Sequence, residues 1–279
     1  MRYIILFFIL FSSLFPENTV LIASFNTLRL GKNKKDYYQV SKVLAKFDLV
    51  GLQEVMNENS LKILKGNLEK ITGKKWEYHI SEKPAGSGEY KEYFAYIWQK
   101  EKVSLKETAG YYQEEKSSDF EREPYGAWFK IREFDFVYVL VHSIYGKKER
   151  ERILEASRYI LVYEFFQRKF PLEKDVIIAG DFNLPADNRG FRKLSGHQDQ
   201  IEYILHPDTD LTTLGKKSLV NSYDNFFISR KQIKEFTGRY GVYNYIKNNY
   251  EEIKAYISDH LPIYMELNIS GTGNASLIK

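Results

Sequence analysis

Residues 175–184 read DVIIAGDFNL, and the organisation of the chain can be worked outward from them. Val176, Ile177, Ile178 and Ala179 make a short apolar run of the kind that forms a strand buried on both faces. Gly180 ends the run. Asp181 and Asn183 follow at the strand period of two, so both side chains leave the strand end on one face. A carboxylate beside a carboxamide can hold a hard cation, orient a water or grip a phosphate oxygen. An isolated D-x-N at a strand end is more often an Asx turn. What separates the two readings is that other strand ends in this chain carry polar groups of the same kind.

Upstream, residues 20–25 (VLIASF) read as a strand ending at Asn26, and residues 48–52 (DLVGL) as a second, with Glu54 just past its end. Helical spacing fills 34–47 between them, and 60–71 is another amphipathic helix. Strands follow at 76–80 and 92–98, then a hairpin of 126–131 and 134–141 that ends at His142. The segment 110–121 is acidic, polar and expected to be irregular. Residues 147–170 carry the longest helical pattern, and 189–217 have no clear period. A strand over 223–229 contains Asp224. A Tyr- and Lys-rich insert precedes Asp259, His260 and a last strand over 261–269. Strands alternating with helices in each half, plus adjacent strand pairs, imply a layered α+β fold with mixed or antiparallel sheets.

With 279 residues and 43% hydrophobic content, the chain can bury a large core, as one big domain or two small ones. A net charge of +4 is compatible with a polyanionic substrate. Arg29, Lys32, Lys34, Lys35, Lys42 and Lys46 cluster early and read as a solvated helix face. Zero cysteines exclude a disulfide framework, thiolate catalysis and cysteine zinc sites. Residues 2–15 (RYIILFFILFSSLF) begin with a positive charge and continue as an apolar run too short to span a bilayer comfortably, which suits a signal peptide. The expected organisation is a signal peptide over 1–16, a single catalytic domain over 17–269 and a flexible tail over 270–279. The product would be secreted or periplasmic, monomeric and without a stable protein partner.

If the strands ending at Asn26, Glu54 and Asp181 are neighbours, their side chains meet on one rim, where magnesium would find oxygen ligands. Two carboxylate–imidazole pairs can also be built, Asp224 with His260 and Glu92 with His142, each carboxylate fixing a tautomer and raising basicity. Hydrolysis of a phosphodiester wants such a set: a base or orienter for water, an acid or metal at the leaving oxygen, and donors around the phosphoryl group. Acyl transfer fits poorly without G-x-S-x-G or a reactive cysteine, and no P-loop or G-x-G-x-x-G is present.

Asn26 in SFNT, Gln53-Glu54 in LQEV, His142 in VHS, Gly180 to Asn183, Tyr223-Asp224 and Ser258-Asp259-His260, in that order, resemble the endonuclease/exonuclease/phosphatase superfamily. YKEY at 90–93 and REP at 122–124 resemble its deoxyribonuclease I branch. The likeness runs from about residue 20 to residue 269. It implies a four-layer α/β/β/α sandwich, two packed mixed β-sheets flanked by helices, with the site at one edge. It implies His142 and His260 as general base and acid, in an order left open, with Glu92 and Asp224 supporting them. Glu54 and Asn26 would hold magnesium, and Asp181, Asn183 and Asp259 would complete the metal and phosphate cradle. Tyr90 would touch DNA and Arg122 would grip a backbone phosphate. The implied activity is cleavage of DNA to 5′-phosphate and 3′-hydroxyl ends with Mg2+, Mn2+ being a substitute. Structural Ca2+ is an analogy for which no calcium loop is legible.

Against that branch, Met56 and Leu28 stand where groove-facing basic residues are usual. The insert at 230–256 offers stacking and charge of the sort single-strand binders use, or else it is a packed helical insertion. The rival functions are a same-fold phosphoesterase acting on lipid or inositol phosphates, and a binding module that has lost catalysis.

Overall fold

Strict alternation of large apolar side chains sets the layers. In the strand Phe134–His142, Phe136, Tyr138 and Leu140 point into one apolar cluster, whereas Val137, Val139 and Val141 point into another. A strand apolar on both faces has to be covered on both. The first cluster lies between two sheets, and the second beneath helices. The computed structural model describes residues 18–87, 90–113, 119–171 and 173–270; the expected signal peptide and the tail beyond Ser270 lie outside them.

In chain order the elements are β1 (Thr19–Leu30), α1 (Tyr37–Leu44), β2 (Leu49–Val55), α2 (Glu58–Thr72), β3 (Trp76–Ile80) and β4 (Tyr93–Gln99). Then come β5 (Ser104–Tyr111), β6 (Tyr125–Ile131), β7 (Phe134–His142), α3 (Glu149–Ala156), α4 (Tyr159–Lys169) and β8 (Val176–Asp181). The rest are α5 (Arg192–Ser195), β9 (Ile201–Tyr203), β10 (Asp224–Ser229), β11 (Phe236–Val242), α6 (Tyr250–Tyr256) and β12 (Ile263–Asn268). They form two six-stranded sheets, β11-β12-β1-β2-β4-β3 and β5-β6-β7-β8-β10-β9. The helices α1, α2 and α6 pack on the outer face of the first sheet, and α3 and α4 on that of the second. This is the four-layer α+β sandwich expected from the sequence. Hydrogen bonds also cross it: Tyr138 Oη donates to Ala23 O and Tyr96 Oη to Tyr138 O, both at 2.7 Å.

At the centre of each sheet lies one parallel pair, β1–β2 and β7–β8, joined by α1 in the first case and by α3 and α4 in the second; the other strand pairs are antiparallel. Parallel neighbours end together. Asn26 thus comes level with Gln53, and His142 with Asp181.

Three expectations need correction. The helical pattern over 147–170 is two helices, because Ser157 Oγ turns back onto Leu154 O and Arg158 leaves the helix to reach Asp119. The segment 110–121 is not irregular at its start, since β5 runs to Tyr111 as an edge strand held by β6. The insert is neither purely helical nor loose: β11 adds an edge strand to β12, and a short α6 covers the first sheet.

Two features of β8 yield predictions. Gly180 has φ +148°, and a Cβ there would stand 2.0 Å from the carbonyl oxygen of Val141. Gly180→Ala should cost about 2 kcal/mol or more in urea unfolding, since both backbone strain and a backbone clash follow. A midpoint like the parent's would show that β8 does not need this conformation.

At the other end of β8, Asp135, Glu173, Asp175 and Glu235 gather. Burial, with Asp135 and Asp175 adding repulsion, pushes Glu173 from 4.5 up to about 8, and burial with Glu235 and Asp135 pushes Asp175 up to about 7. The folded chain thus keeps protons that the unfolded chain has lost. This contribution to stability is full below about pH 4 and disappears as pH rises to about 8. Glu173→Gln should raise the melting temperature at pH 8 more than at pH 5, and an equal change at both would mean the cluster does not repel.

Candidate active site

The carboxyl ends of both parallel pairs meet at one edge of the sandwich, and their terminal side chains touch. Asn26 Nδ2, from β1, donates to Glu54 Oε1 of β2 and to Asp181 Oδ2 of β8, each at 3.1 Å. His142 Nε2, from β7, lies 3.6 Å from Asp181 Oδ2 and 4.0 Å from Glu54 Oε1. His260 Nε2, just before β12, lies 3.5 Å from the same Asp181 oxygen. Behind the imidazoles sit the two expected carboxylates. Glu92 accepts from His142 Nδ1 at 2.8 Å, and Asp224 from His260 Nδ1 at 2.7 Å. A proton on each Nδ1 leaves both Nε2 atoms facing Asp181.

The turn at Ser258 locks His260 in place, its hydroxyl donating to Asn26 O at 2.7 Å and accepting from His260 N at 3.1 Å. Asn183 donates from its backbone N to Asp181 Oδ1 at 2.9 Å and from Nδ2 to Ser143 O at 2.8 Å. Glu54 and Asn183 hold left-handed backbones, with φ of 57° and 50°, a strain of about 1–3 kcal/mol each.

Burial and charge oppose each other throughout. Burial alone would lower His142 and His260, but Glu92 raises the first above its ordinary value, and Asp224 with Asp181 raises the second well above it. Burial raises Asp181, despite the two imidazoles. Burial would also raise Glu92, yet His142 and Arg122 bring it below its ordinary value. Arg122 Nε lies 3.1 Å from Glu92 Oε2, so this guanidinium is part of the same row of charges as well as of the cleft wall.

The cleft above these groups has a volume of about 440 Å³. Of the residues expected from the sequence, Glu54, Tyr90, Glu92, Arg122, His142, Asp181, Asn183, Asp259 and His260 line it. Asn26 and Asp224 lie beneath it, fully buried. Asp259, expected beside Asn26 and Glu54, has its carboxylate 3.8 Å from Lys254 Nζ. Met56 is on the wall, as its position suggested.

Sequence reading missed several cations. Leu28 and Arg29 have left-handed backbones, with φ of 46° and 56°, and the register of β1 against β2 shifts there. That bend breaks the strand period and brings Arg29, not Leu28, to the cleft, where its guanidinium covers the Tyr90 ring at 5.1 Å. Lys32, Lys91 and Lys254 join it. The early basic cluster is therefore not one solvated helix face, because only Lys42 of the six lies within α1. Lys35 donates to Ile257 O at 2.7 Å, and burial lowers it to about 8 against the pull of Asp259 and Glu54.

The donor chemistry suits a hard divalent cation. Glu54 and Asp181 turn carboxylate oxygens toward one point, where the Asn26 amide nitrogen answers both, and rotation of that amide would offer its oxygen instead. Asp181, Asp224 and His260 also place one potential ligand atom each within 4.8 Å of one another. In that group His260 is already hydrogen-bonded to Asp224, which leaves the Glu54 side better suited to a cation.

Among known proteins, the chain is 28% identical over 263 residues to a deoxyribonuclease of Thioalkalivibrio sp. (strain K90mix), covering 88% of this chain and 70% of that protein. It is 27% identical over 271 residues to deoxyribonuclease gamma of Rattus norvegicus, covering 89% and 84%. Its fold matches an endonuclease/exonuclease/phosphatase family protein from Bacteroides thetaiotaomicron with a TM-score of 0.63 at 21% identity, over 89% of this chain and 97% of that one. Residues 23–260 match the model of the Endonuclease/Exonuclease/phosphatase family, and this chain belongs to that family.

Proposed function

We propose that the chain is an exported, magnesium-dependent endonuclease that hydrolyses DNA to 5′-phosphate and 3′-hydroxyl ends. The observation that carries this reading is the pair of carboxylate-backed imidazoles whose Nε2 atoms face one carboxylate oxygen, at 3.6 and 3.5 Å, in a cleft rimmed by Arg29, Lys32, Lys91 and Lys254. Hydrolysis needs two proton transfers and a cradle for a phosphoryl group, and this cleft has groups for each. Two deoxyribonucleases among its relatives support DNA as the substrate, and the cationic rim favours a polyanionic strand over a single lipid or inositol headgroup. The apolar leader at 2–15 supports export.

In the proposed reaction a water oxygen bonds to phosphorus and the bond from phosphorus to O3′ breaks. One of His142 and His260 takes the water's proton, and the other gives a proton to the departing O3′. Asp181 holds both imidazoles toward the same point, while Glu92 and Asp224 keep their tautomers and charge. Asn183 and Asp259 line the phosphate cradle, and Tyr90, carrying Arg29 on its ring, meets the strand beside it. Glu54 and Asn26 would hold magnesium, which supplies Lewis-acid charge at a phosphoryl oxygen.

With residues 1–16 removed, the protein should nick supercoiled plasmid in magnesium and not in EDTA. His142→Ala and His260→Ala should each slow nicking by about 100-fold or more. Loss below tenfold in both would dismiss the two-imidazole scheme. Glu54→Gln should move the magnesium titration to higher concentrations, because one carboxylate of the cation site becomes neutral. A superimposable titration would take Glu54 out of that site.

A further inference from the structure

Beyond the cleft lies a larger groove, about 1390 Å³, between α1 and the insert that carries β11 and α6. Lys34, Lys42, Lys46 and Lys247 stand along it and are exposed. Its two acids are engaged locally: Asp36 caps α1 by accepting from Gln39 N, and Glu252 accepts from Asn249 Nδ2. The groove therefore presents a surplus of positive charge that its own carboxylates do not neutralise.

Its walls are also aromatic. Tyr256 lies under Lys34 Nζ at 5.6 Å, and the rings of Tyr243 and Tyr245 are 6.0 Å apart. Among the described residues the buried Tyr245 hydroxyl has no hydrogen-bond partner, and such a group is one a ligand would satisfy. Lysines that track a backbone, interleaved with rings on which bases can stack, are the means by which proteins hold single strands. The volume exceeds that of a site for one small ligand, which argues for several linked nucleotides.

Groove and cleft are continuous in the chain. Arg29 and Lys32 line the cleft, and Lys34 and Lys35 line the groove. Lys254 of α6 belongs to the cleft, and Tyr256, two residues on, belongs to the groove. We propose that the groove is an exosite that binds single-stranded nucleic acid, so that a strand entering the cleft continues past α6 between α1 and the insert. The continuity of that strand rests on the nuclease reading; binding in the groove does not.

The test is fluorescence anisotropy of a labelled 25-nucleotide oligothymidylate in EDTA, where no cleavage is needed. It compares the parent with the triple variant Lys42→Ala, Lys46→Ala, Lys247→Ala, whose exposed sites should leave the unfolding midpoint unchanged. The triple variant should bind about tenfold or more weakly at 0.1 M salt. Its plot of log affinity against log salt should be flatter by about 2, at roughly 0.7 per lost phosphate contact. Tyr256→Ala should weaken binding with the slope kept, as loss of stacking would. Unchanged affinity and slope in the triple variant overturn the exosite. An equal loss for duplex DNA overturns its single-strand character, and a loss confined to phosphatidylserine vesicles replaces it by a membrane surface. A parent that does not nick plasmid, with a triple variant that loses the oligonucleotide, would reject the nuclease reading and keep the groove. The opposite pair of results would do the reverse.

Discussion

The buried carboxylate of Asp181 is the constraint on which the site, and much of the joint between the sheets, depends. A carboxylate with 2% exposure must be answered by donors or lose its charge. Asn26 donates to it from β1 and the backbone N of Asn183 from the turn two residues on, while the Nε2 atoms of His142 and His260 stand 3.6 and 3.5 Å away. Each imidazole, buried in turn, needs a carboxylate of its own, and Glu92 needs Arg122. The outcome is a row of alternating sign, Arg122, Glu92, His142, Asp181, His260, Asp224, closed by contacts of 2.7–3.6 Å. With both imidazoles protonated the row is neutral. Removing an inner member leaves two neighbours uncompensated, so single substitutions along it should not add. Glu54 is the carboxylate left over, which is why that side of the cleft suits a cation.

The topology explains how the row is assembled. Asn26, Glu54, His142 and Asp181 are at the carboxyl ends of the two parallel pairs. Glu92, Asp224 and His260 are at the beginnings of β4, β10 and β12, the antiparallel neighbours that start where those pairs finish. Parallel strands deliver the groups that face the cleft together with antiparallel ones that stand behind or beside them. Mixed sheets are therefore a requirement of this site. An all-parallel sheet would have sent the beginnings of β4, β10 and β12 to the opposite edge, a strand length away.

That logic also explains what the sequence could show. A polar side chain at the end of an apolar run has little packing role, so Asn26, Glu54, His142 and Asp181 stand out after theirs and Asp224 before its own. The layered fold was legible because most strands are buried on both faces and their apolar runs are unbroken. Two of the edge strands lack that signal: β5 and β11 are half exposed, and both were missed. The break between α3 and α4 depends on Arg158 meeting Asp119, a contact from outside the helix. Arg29 was hidden for a backbone reason, since strand periodicity cannot anticipate a left-handed bend at Leu28 and Arg29.

Charge is segregated along the strands as well. Asp135, Glu173, Asp175 and Glu235 sit where β7 and β8 begin, while Arg29, Lys32, Lys91 and Lys254 rim the cleft where those strands end. A polyanion is thus drawn to the cleft rim and repelled by the acidic cluster. The acidic end has a cost in stability at neutral pH, since Glu173 and Asp175 are held well above the ordinary carboxylate range. Their partial protonation limits that cost, because a carboxyl that keeps its proton does not repel its neighbours. At the cleft the relief is of another kind: Arg29 lies over the Tyr90 ring at 5.1 Å and Lys254 Nζ lies 3.8 Å from Asp259, so these cations are answered in place by a ring face and a carboxylate.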